Sequence, residues 1–148
     1  MEYVIKSFDE LSAKELYEAL RLRFNVFVVE QECIYEELDN KDQSSLHFLG
    51  YEDGKLVAYL RILPSGVSFK EPSIGRFVVD PAYRKNGYGR VLFTSAIAYI
   101  TKVWNEKKIT IEAQTYMSKF YESTGFKVVS EPFLDAGIEH VEMLFELE

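Results

Sequence analysis

Residues 76–93 read Arg76-Phe77-Val78-Val79-Asp80-Pro81-Ala82-Tyr83-Arg84-Lys85-Asn86-Gly87-Tyr88-Gly89-Arg90-Val91-Leu92-Phe93. A β-branched apolar run stops at a proline. A short basic turn with two glycines follows, and then an apolar pattern at helical spacing begins. The segment predicts a strand, a tight turn and a helix N-terminus, an order that presents free backbone N–H groups to an anion. Glycine at 87 and 89 admits close approach of main chain to a phosphate and makes φ > 0 available. Arg84, Lys85 and Arg90 gather positive charge at the same place. A phosphate-bearing ligand is expected there; the alternative is an ordinary surface turn capping a helix. No G-x-x-x-x-G-K-[ST] run occurs, which sets a Walker A loop aside. Gly87-Tyr88-Gly89 continues Arg90-Val91-Leu92, so the third glycine of a dinucleotide fingerprint is absent as well.

Around this turn the 148 residues suit one domain, 1–148, with enough chain to bury a core. The net charge of −7 disfavours a non-specific nucleic-acid partner, so the basic turn is a local exception on an acidic protein. A single cysteine, Cys33, excludes an internal disulfide and suits a reducing compartment. Residues 1–10 carry no basic segment followed by an apolar stretch, and no apolar run approaches the roughly 18–20 residues of a membrane span. A cytoplasmic location with no membrane partner is the expectation.

Along the chain, Tyr3–Phe8 reads as a strand. Ser12 with Glu15 forms a capping box that opens a helix running to about Glu30. Residues 31–45 read as an acidic loop or short helix. Leu46–Glu52 and Leu56–Leu63 flank Asp53-Gly54, a hairpin signal. Ser73–Val79 is a strand, and a helix follows Gly87 and ends near Trp104. Ile109–Ala113 is a strand, and a short helix runs from about Met117 to Thr124, stopped by Gly125. Phe126–Val129 and Val141–Phe145 read as the last two strands, joined by a loop around Asp135-Ala136-Gly137.

R-x-x-G-x-G after a strand ending V-x-P resembles the acyl-CoA-binding motif of the GCN5-related N-acetyltransferase (GNAT) superfamily. Gln114-Thr115-Tyr116-Met117-Ser118-Lys119-Phe120-Tyr121-Glu122-Ser123-Thr124-Gly125-Phe126 is similar to its second signature, a polar strand end followed by F-Y-x-x-x-G-F. Several further stretches resemble the ElaA-like subgroup: Phe27–Cys33, His47-x-Leu49-Gly50, Tyr59–Leu63, Ile74-Gly75-Arg76 and Gly137–His140. The resemblance implies an α/β (α+β) fold: a mixed, mostly antiparallel sheet of about seven strands with helices on both faces. The fourth and fifth strands would splay around a pantetheine arm.

It also implies an activity, acetyl-CoA-dependent N-acetyl transfer to a primary amine, directly in a ternary complex and without a metal. A non-catalytic acyl-CoA sensor or scaffold is the alternative. By the same resemblance the pyrophosphate sits on the backbone of Arg84, Lys85, Asn86, Gly87, Tyr88 and Gly89, beside Arg90. The backbone of Phe77, Val78 and Val79 pairs with the pantetheine like an added strand and turns an N–H to the oxyanion. Gln114 stands where the family more often has asparagine. Tyr121 is the expected general acid, protonating the departing CoA thiolate. No general base declares itself; Glu112, His47, His140 and the acids between Glu30 and Asp42 are candidates, as is a chain of waters. Residues shared only with the subgroup, Glu30, Gln31, His47, Arg61 and His140, are expected at the acceptor. Arg61 and Arg76 interrupt apolar strands and must face solvent or meet a carboxylate. A homodimer through the apolar last strand is a further expectation.

Overall fold

Asp53 and Gly54 both adopt positive φ, 50° and 78°, the two-residue turn that matches the twist of the strands it joins. In the computed structural model, which describes residues 1–148, this turn connects β2 (Leu46–Glu52) to β3 (Lys55–Leu63). β1 (Glu2–Ser7) lies outside β2 and β4 (Ser73–Val79) outside β3, giving an antiparallel sheet in the order β1-β2-β3-β4. A second antiparallel sheet holds β5 (Lys108–Gln114), β8 (Ile138–Glu146) and β6 (Phe126–Val128) in the order β5-β8-β6. β7 (Phe133–Asp135) pairs with the first residues of β8.

β4 and β5 are the facing edges of the two sheets, and no ladder joins them. At their bases the Thr110 N–H donates to the Pro72 carbonyl at 3.0 Å; beyond that bond they part.

Two helical layers hold this arrangement. α1 (Ala13–Arg23) starts at the Ser12 capping box and continues as a wider π-helical stretch, Phe24–Glu30. Its Ala19, Leu22 and Val26 pack with Leu49, Leu56, Tyr59 and Val78 on one face of the first sheet. α2 (Tyr88–Ala98), extended by the π-helical residues Tyr99–Val103, covers the other face. Leu92, Phe93, Ala96 and Ile100 share one core with Phe48, Leu60 and Ile62 of the first sheet and Ile111, Val141 and Met143 of the second. α2 therefore bridges the seam where the sheets separate. Covered on both faces, β3 is buried from Leu56 to Leu63, which explains its unbroken apolar run. No helix is long and apolar enough to cross a membrane.

The α/β class, the mostly antiparallel pairing and the helices on both faces agree with expectation, but the strands number eight. β7 fell within the expected loop, and β8 begins at Ile138 rather than Val141. All three residues of β7 are exposed, so no alternation of apolar and polar positions marks it.

Candidate active site

The parting of β4 and β5 opens a cavity of about 950 Å³, within the usual range for small-ligand sites. Phe77, Val78 and Val79 line it from β4, and Glu112 and Gln114 from β5. The turn contributes Arg84, Lys85, Gly87, Tyr88, Gly89 and Arg90, and α3 (Ser118–Ser123) contributes Phe120 and Tyr121. The far end is walled by Cys33, Tyr35 and Asp39 of the acidic loop and by Asp135 and His140.

β4 does not run straight past this cavity. Val79 and Val78 oppose Ala58 and Tyr59, whereas Gly75 opposes Arg61. Arg76 and Phe77 thus stand where β3 has Leu60 alone, which is a β-bulge. Arg76 carries it with φ 51°, in the left-handed region that residues with a Cβ seldom enter.

After β4, the Asp80 carboxylate accepts from the Ala82 N–H at 2.9 Å and sets the turn. Gly87 caps α2 with φ 79°, which explains glycine there. The first helical bond is Val91 N–H to the Gly87 carbonyl at 3.1 Å, so the N–H groups of Tyr88, Gly89 and Arg90 lack intrahelical partners. Gly89 has a packing role beside the one its spacing suggested. A Cβ there would lie 3.1 Å from Phe77 Cζ and 3.2 Å from Val79 Cγ2, so its bareness lets α2 sit against β4.

The basic side chains are largely engaged with the protein. Arg84 Nη1 and Nη2 donate to the two carboxylate oxygens of Glu30 at 2.9 and 2.8 Å, and its Nε donates to the Val79 carbonyl at 3.1 Å. This pair latches the turn to the end of the first helix, and it occupies both Glu30 and the Arg84 guanidinium. Arg90 donates to Ser123 Oγ at 3.0 Å and stacks on Phe120. Asn86 donates its amide to the Tyr83 carbonyl at 3.2 Å. Lys85, at φ 70°, is exposed.

Tyr121 packs its ring among Phe77, Phe93, Phe120 and Phe126. Burial raises its phenol well above the ordinary value, helped by the Tyr116 phenol; it is protonated at neutral pH. Gln114 meets Gln31 in a reciprocal amide pair, with N–H···O distances of 3.1 and 3.2 Å. A residue expected at the cosubstrate and one expected at the acceptor thus stand together.

Two expectations fail on burial. His47 is 1% exposed; its Nε2–H donates to the Asp42 carbonyl at 2.9 Å, and its Nδ1 accepts from the Tyr59 hydroxyl at 2.6 Å. Burial also lowers its pKa. It is a neutral core histidine outside the cavity, with both ring nitrogens satisfied. Arg61 borders the cavity but is 3% exposed and donates to Asp39 and Asp42, both through Nη1 at 2.9 Å. It is a structural cation.

The acidic loop supplies the anchors that sequence reasoning missed. The Glu37 side chain is fully buried, and one of its carboxylate oxygens accepts from Arg23 Nε at 2.6 Å and Arg76 Nε at 2.8 Å. Asp42 accepts from both Arg23 and Arg61 at 2.9 Å. A signal existed: arginines inside apolar strands require carboxylates, and the run from Glu36 to Asp42 was the available source. At the far end of the cavity Glu112 stands open to solvent on β5, and its carboxyl is raised to about 7, first by partial desolvation against the cavity wall and then by hydrogen bonding with Asp135. His140 stacks on Phe133 and directs Nδ1 at the Ile138 carbonyl at 2.6 Å. Cys33 is buried and its thiol donates to the Ala136 carbonyl at 3.2 Å.

Comparisons with known proteins agree with this geometry. A family model described as an acetyltransferase (GNAT) domain matches residues 9–147. A UPF0039 protein of Schizosaccharomyces pombe is 45% identical over 149 residues, covering 99% of this chain and 98% of the relative. The crystal structure of Escherichia coli ElaA superposes with a TM-score of 0.91 at 36% identity, over 99% of this chain and all of the other. That of an acyl-CoA N-acyltransferase from Pseudomonas aeruginosa also reaches 0.91, at 35% identity over 98% of this chain and 99% of that one.

Proposed function

The chain belongs to the GNAT acetyltransferase family, and from that premise we propose that it transfers an acetyl group from acetyl-CoA directly to a primary amine in a ternary complex. The observation that carries the reading is the cleft itself. A sheet edge with no neighbouring strand ends at a helix N-terminus, and both open on the cavity that holds a protonated tyrosine.

The residues present fit acetyl-CoA. The unladdered edge at Phe77–Val79 offers main-chain groups that an extended amide chain can pair with. The unpaired N–H groups of Tyr88, Gly89 and Arg90 suit a pyrophosphate, with Lys85 as the available cation. Acetyl-CoA supplies an activated thioester. As the amine nitrogen bonds to its carbonyl carbon, the C–S bond breaks and the amine gives up a proton. Main-chain N–H at the β4 bulge stabilises charge on the carbonyl oxygen. Tyr121 donates its proton to the departing sulfur. The acceptor enters from the far end, between the acidic loop and His140, and Glu112 takes the amine proton, its carboxyl being held near neutrality. Gln31 closes that end from above through Gln114. Glu30, held by Arg84, acts on the acceptor only through the position of the turn.

The test is thiol release from acetyl-CoA with a panel of amines, amino acids and peptides, run beside Tyr121→Phe and with binding measured by calorimetry. Amine-dependent turnover that falls about a hundredfold in the variant, with acetyl-CoA affinity retained, is the expected result. Turnover unchanged in Tyr121→Phe would remove the acid role. Absence of acetyl-CoA binding would remove the reading altogether.

A further inference from the structure

The bulge in β4 is built on a residue poorly suited to its backbone conformation. Glycine would take φ 51° without penalty, whereas arginine resists it. The choice of residue at 76 is therefore about the side chain.

That side chain is clamped. Arg76 Nε donates to a Glu37 carboxylate oxygen at 2.8 Å, and Nη2 donates to the Glu37 main-chain carbonyl at 3.0 Å and to Asp39 at 3.4 Å. The guanidinium also lies 5.7 Å from the centre of the Tyr35 ring. Its anchor is rigid in turn. The same Glu37 oxygen accepts from Arg23, whose side chain is 1% exposed, and Arg61 fixes Asp39 from the other side. One end of Arg76 is thus fixed in a buried ion network, and the other end is the strained residue of the bulge.

We propose that Arg76 is a positioning residue for acyl transfer: its grip on Glu37 and Asp39 holds the β4 bulge so that the main-chain N–H of Phe77, which the ladder to β3 leaves out, meets the thioester carbonyl. This rests on the acetyl-CoA reading above. The loop that walls the acceptor end and the strand that receives the thioester become one rigid unit. The two halves of the cavity then keep their spacing, as a direct transfer needs. The fold does not depend on the clamp. Glu37 keeps Arg23 when Arg76 is lost, and Arg76 is itself partly exposed at 21%.

The experiment binds acetyl-CoA labelled with 13C at the thioester carbonyl to the wild-type protein, Arg76→Gly, Arg76→Lys and Glu37→Gln. The carbonyl stretch is read by isotope-edited infrared spectroscopy, affinity by calorimetry and integrity by thermal unfolding. Arg76→Gly removes the clamp while leaving the backbone free to adopt the bulge. Glu37→Gln weakens it from the loop side without touching β4, and thermal unfolding reads the accompanying loss at buried Arg23. Lysine keeps the charge but lacks the planar fork that reaches both partners. The wild type is expected to shift the stretch to lower frequency. All three variants bind acetyl-CoA within about threefold of wild type yet lose at least about half of that shift, and turnover falls about tenfold with KM nearly constant. A full wild-type shift in Arg76→Gly would overturn the proposal, because the bulge then holds itself. Loss of affinity with unfolding unchanged would also overturn it, assigning Arg76 to cosubstrate binding. Failure of the wild type to bind acetyl-CoA would instead overturn the reading beneath it.

Discussion

Arg23→Met tests whether the buried charges in this protein act as a structural joint. Arg23 is 1% exposed and donates to Glu37 at 2.6 Å and to Asp42 at 2.9 Å, with its guanidinium 5.5 Å from the Tyr59 ring centre. Methionine fills similar space but leaves two buried carboxylates short of one charge-assisted bond each. Removing one member of a buried pair costs about 3–5 kcal/mol. Here Arg76 still holds Glu37 and Arg61 still holds Asp42, so the loss belongs at the lower end, about 3 kcal/mol. For a domain of this size that corresponds to a fall in melting temperature of roughly 6–12 °C. Urea unfolding at pH 7 gives the value directly. Lys108→Met is the control, since its pair with Glu146 is about half exposed on both sides and should contribute under about 0.5 kcal/mol. The acid limb is a second readout. Burial pushes the Asp42 carboxyl up, but Arg23 and Arg61 outweigh it and leave it below the ordinary value. Its stabilisation is therefore present above the unfolded pKa and lost as pH falls through the folded one. Without Arg23 the folded pKa rises, and acid unfolding moves to higher pH. A loss below about 1 kcal/mol at pH 7, with the acid midpoint unmoved, would refute the reasoning.

Gly89→Ala is expected to cost about 1–3 kcal/mol, because the new Cβ meets Phe77 and Val79 at 3.1 and 3.2 Å. It should also weaken acetyl-CoA binding as α2 moves off β4; urea unfolding with calorimetry checks both, and an unaltered affinity would detach the helix terminus from the cosubstrate. Glu112→Gln concerns a carboxyl whose folded pKa, about 7, lies above its unfolded value. The folded state binds the extra proton, so this group's contribution is intact at pH 4 and lost as pH rises through 7. The glutamine variant should therefore gain stability relative to wild type between pH 5 and pH 8, and a constant difference across that range would disprove the assignment. Arg84→Ala should loosen the turn by freeing Glu30, with only a small loss of global stability since the pair is exposed. Hydrogen exchange of the 84–90 amides is the measurement, and unchanged protection would show that the latch does not hold the turn.

The elements legible in the sequence were those with strong local chemistry. Ser12 and Glu15 make the capping box their spacing predicted, and Asp53-Gly54 turns the hairpin. The strand, turn and helix at 76–93 fold as read because proline, glycine and apolar spacing agree there. Long-range facts were not legible. Its spacing marks Gly89 for close approach to a phosphate, but that its missing Cβ also makes room for Phe77 and Val79 is something only packing reveals. Nothing local marks β7, whose residues are exposed and whose pairing comes wholly from β8. His47 looked available to a ligand until the fold placed Asp42 and Tyr59 at its two nitrogens.

The acidic loop shows why charge counted along a chain is a poor guide to charge in a site. Glu37, Asp39 and Asp42 meet Arg23, Arg61 and Arg76, three carboxylates against three guanidiniums, and the sum is zero. Apart from a single 3-10 turn at Asp42–Ser44 the loop has no regular secondary structure, so these bonds, with the Cys33 contact to Ala136, give it its shape. Desolvating six charges is costly, and an apolar wall would be as stable or more so. What the ions add is direction: each bond fixes an angle as well as a distance, and the loop is thereby held against the bulge of β4. With the network neutral, the field at the far end of the cavity falls to groups without a full ionic partner, Glu112 and Asp135 foremost. A carboxyl poised near neutrality survives there because the nearby arginines are already engaged. Arg61 and Arg76 donate to Glu37, Asp39 and Asp42, and Arg76 lowers Glu112 less than desolvation and Asp135 raise it.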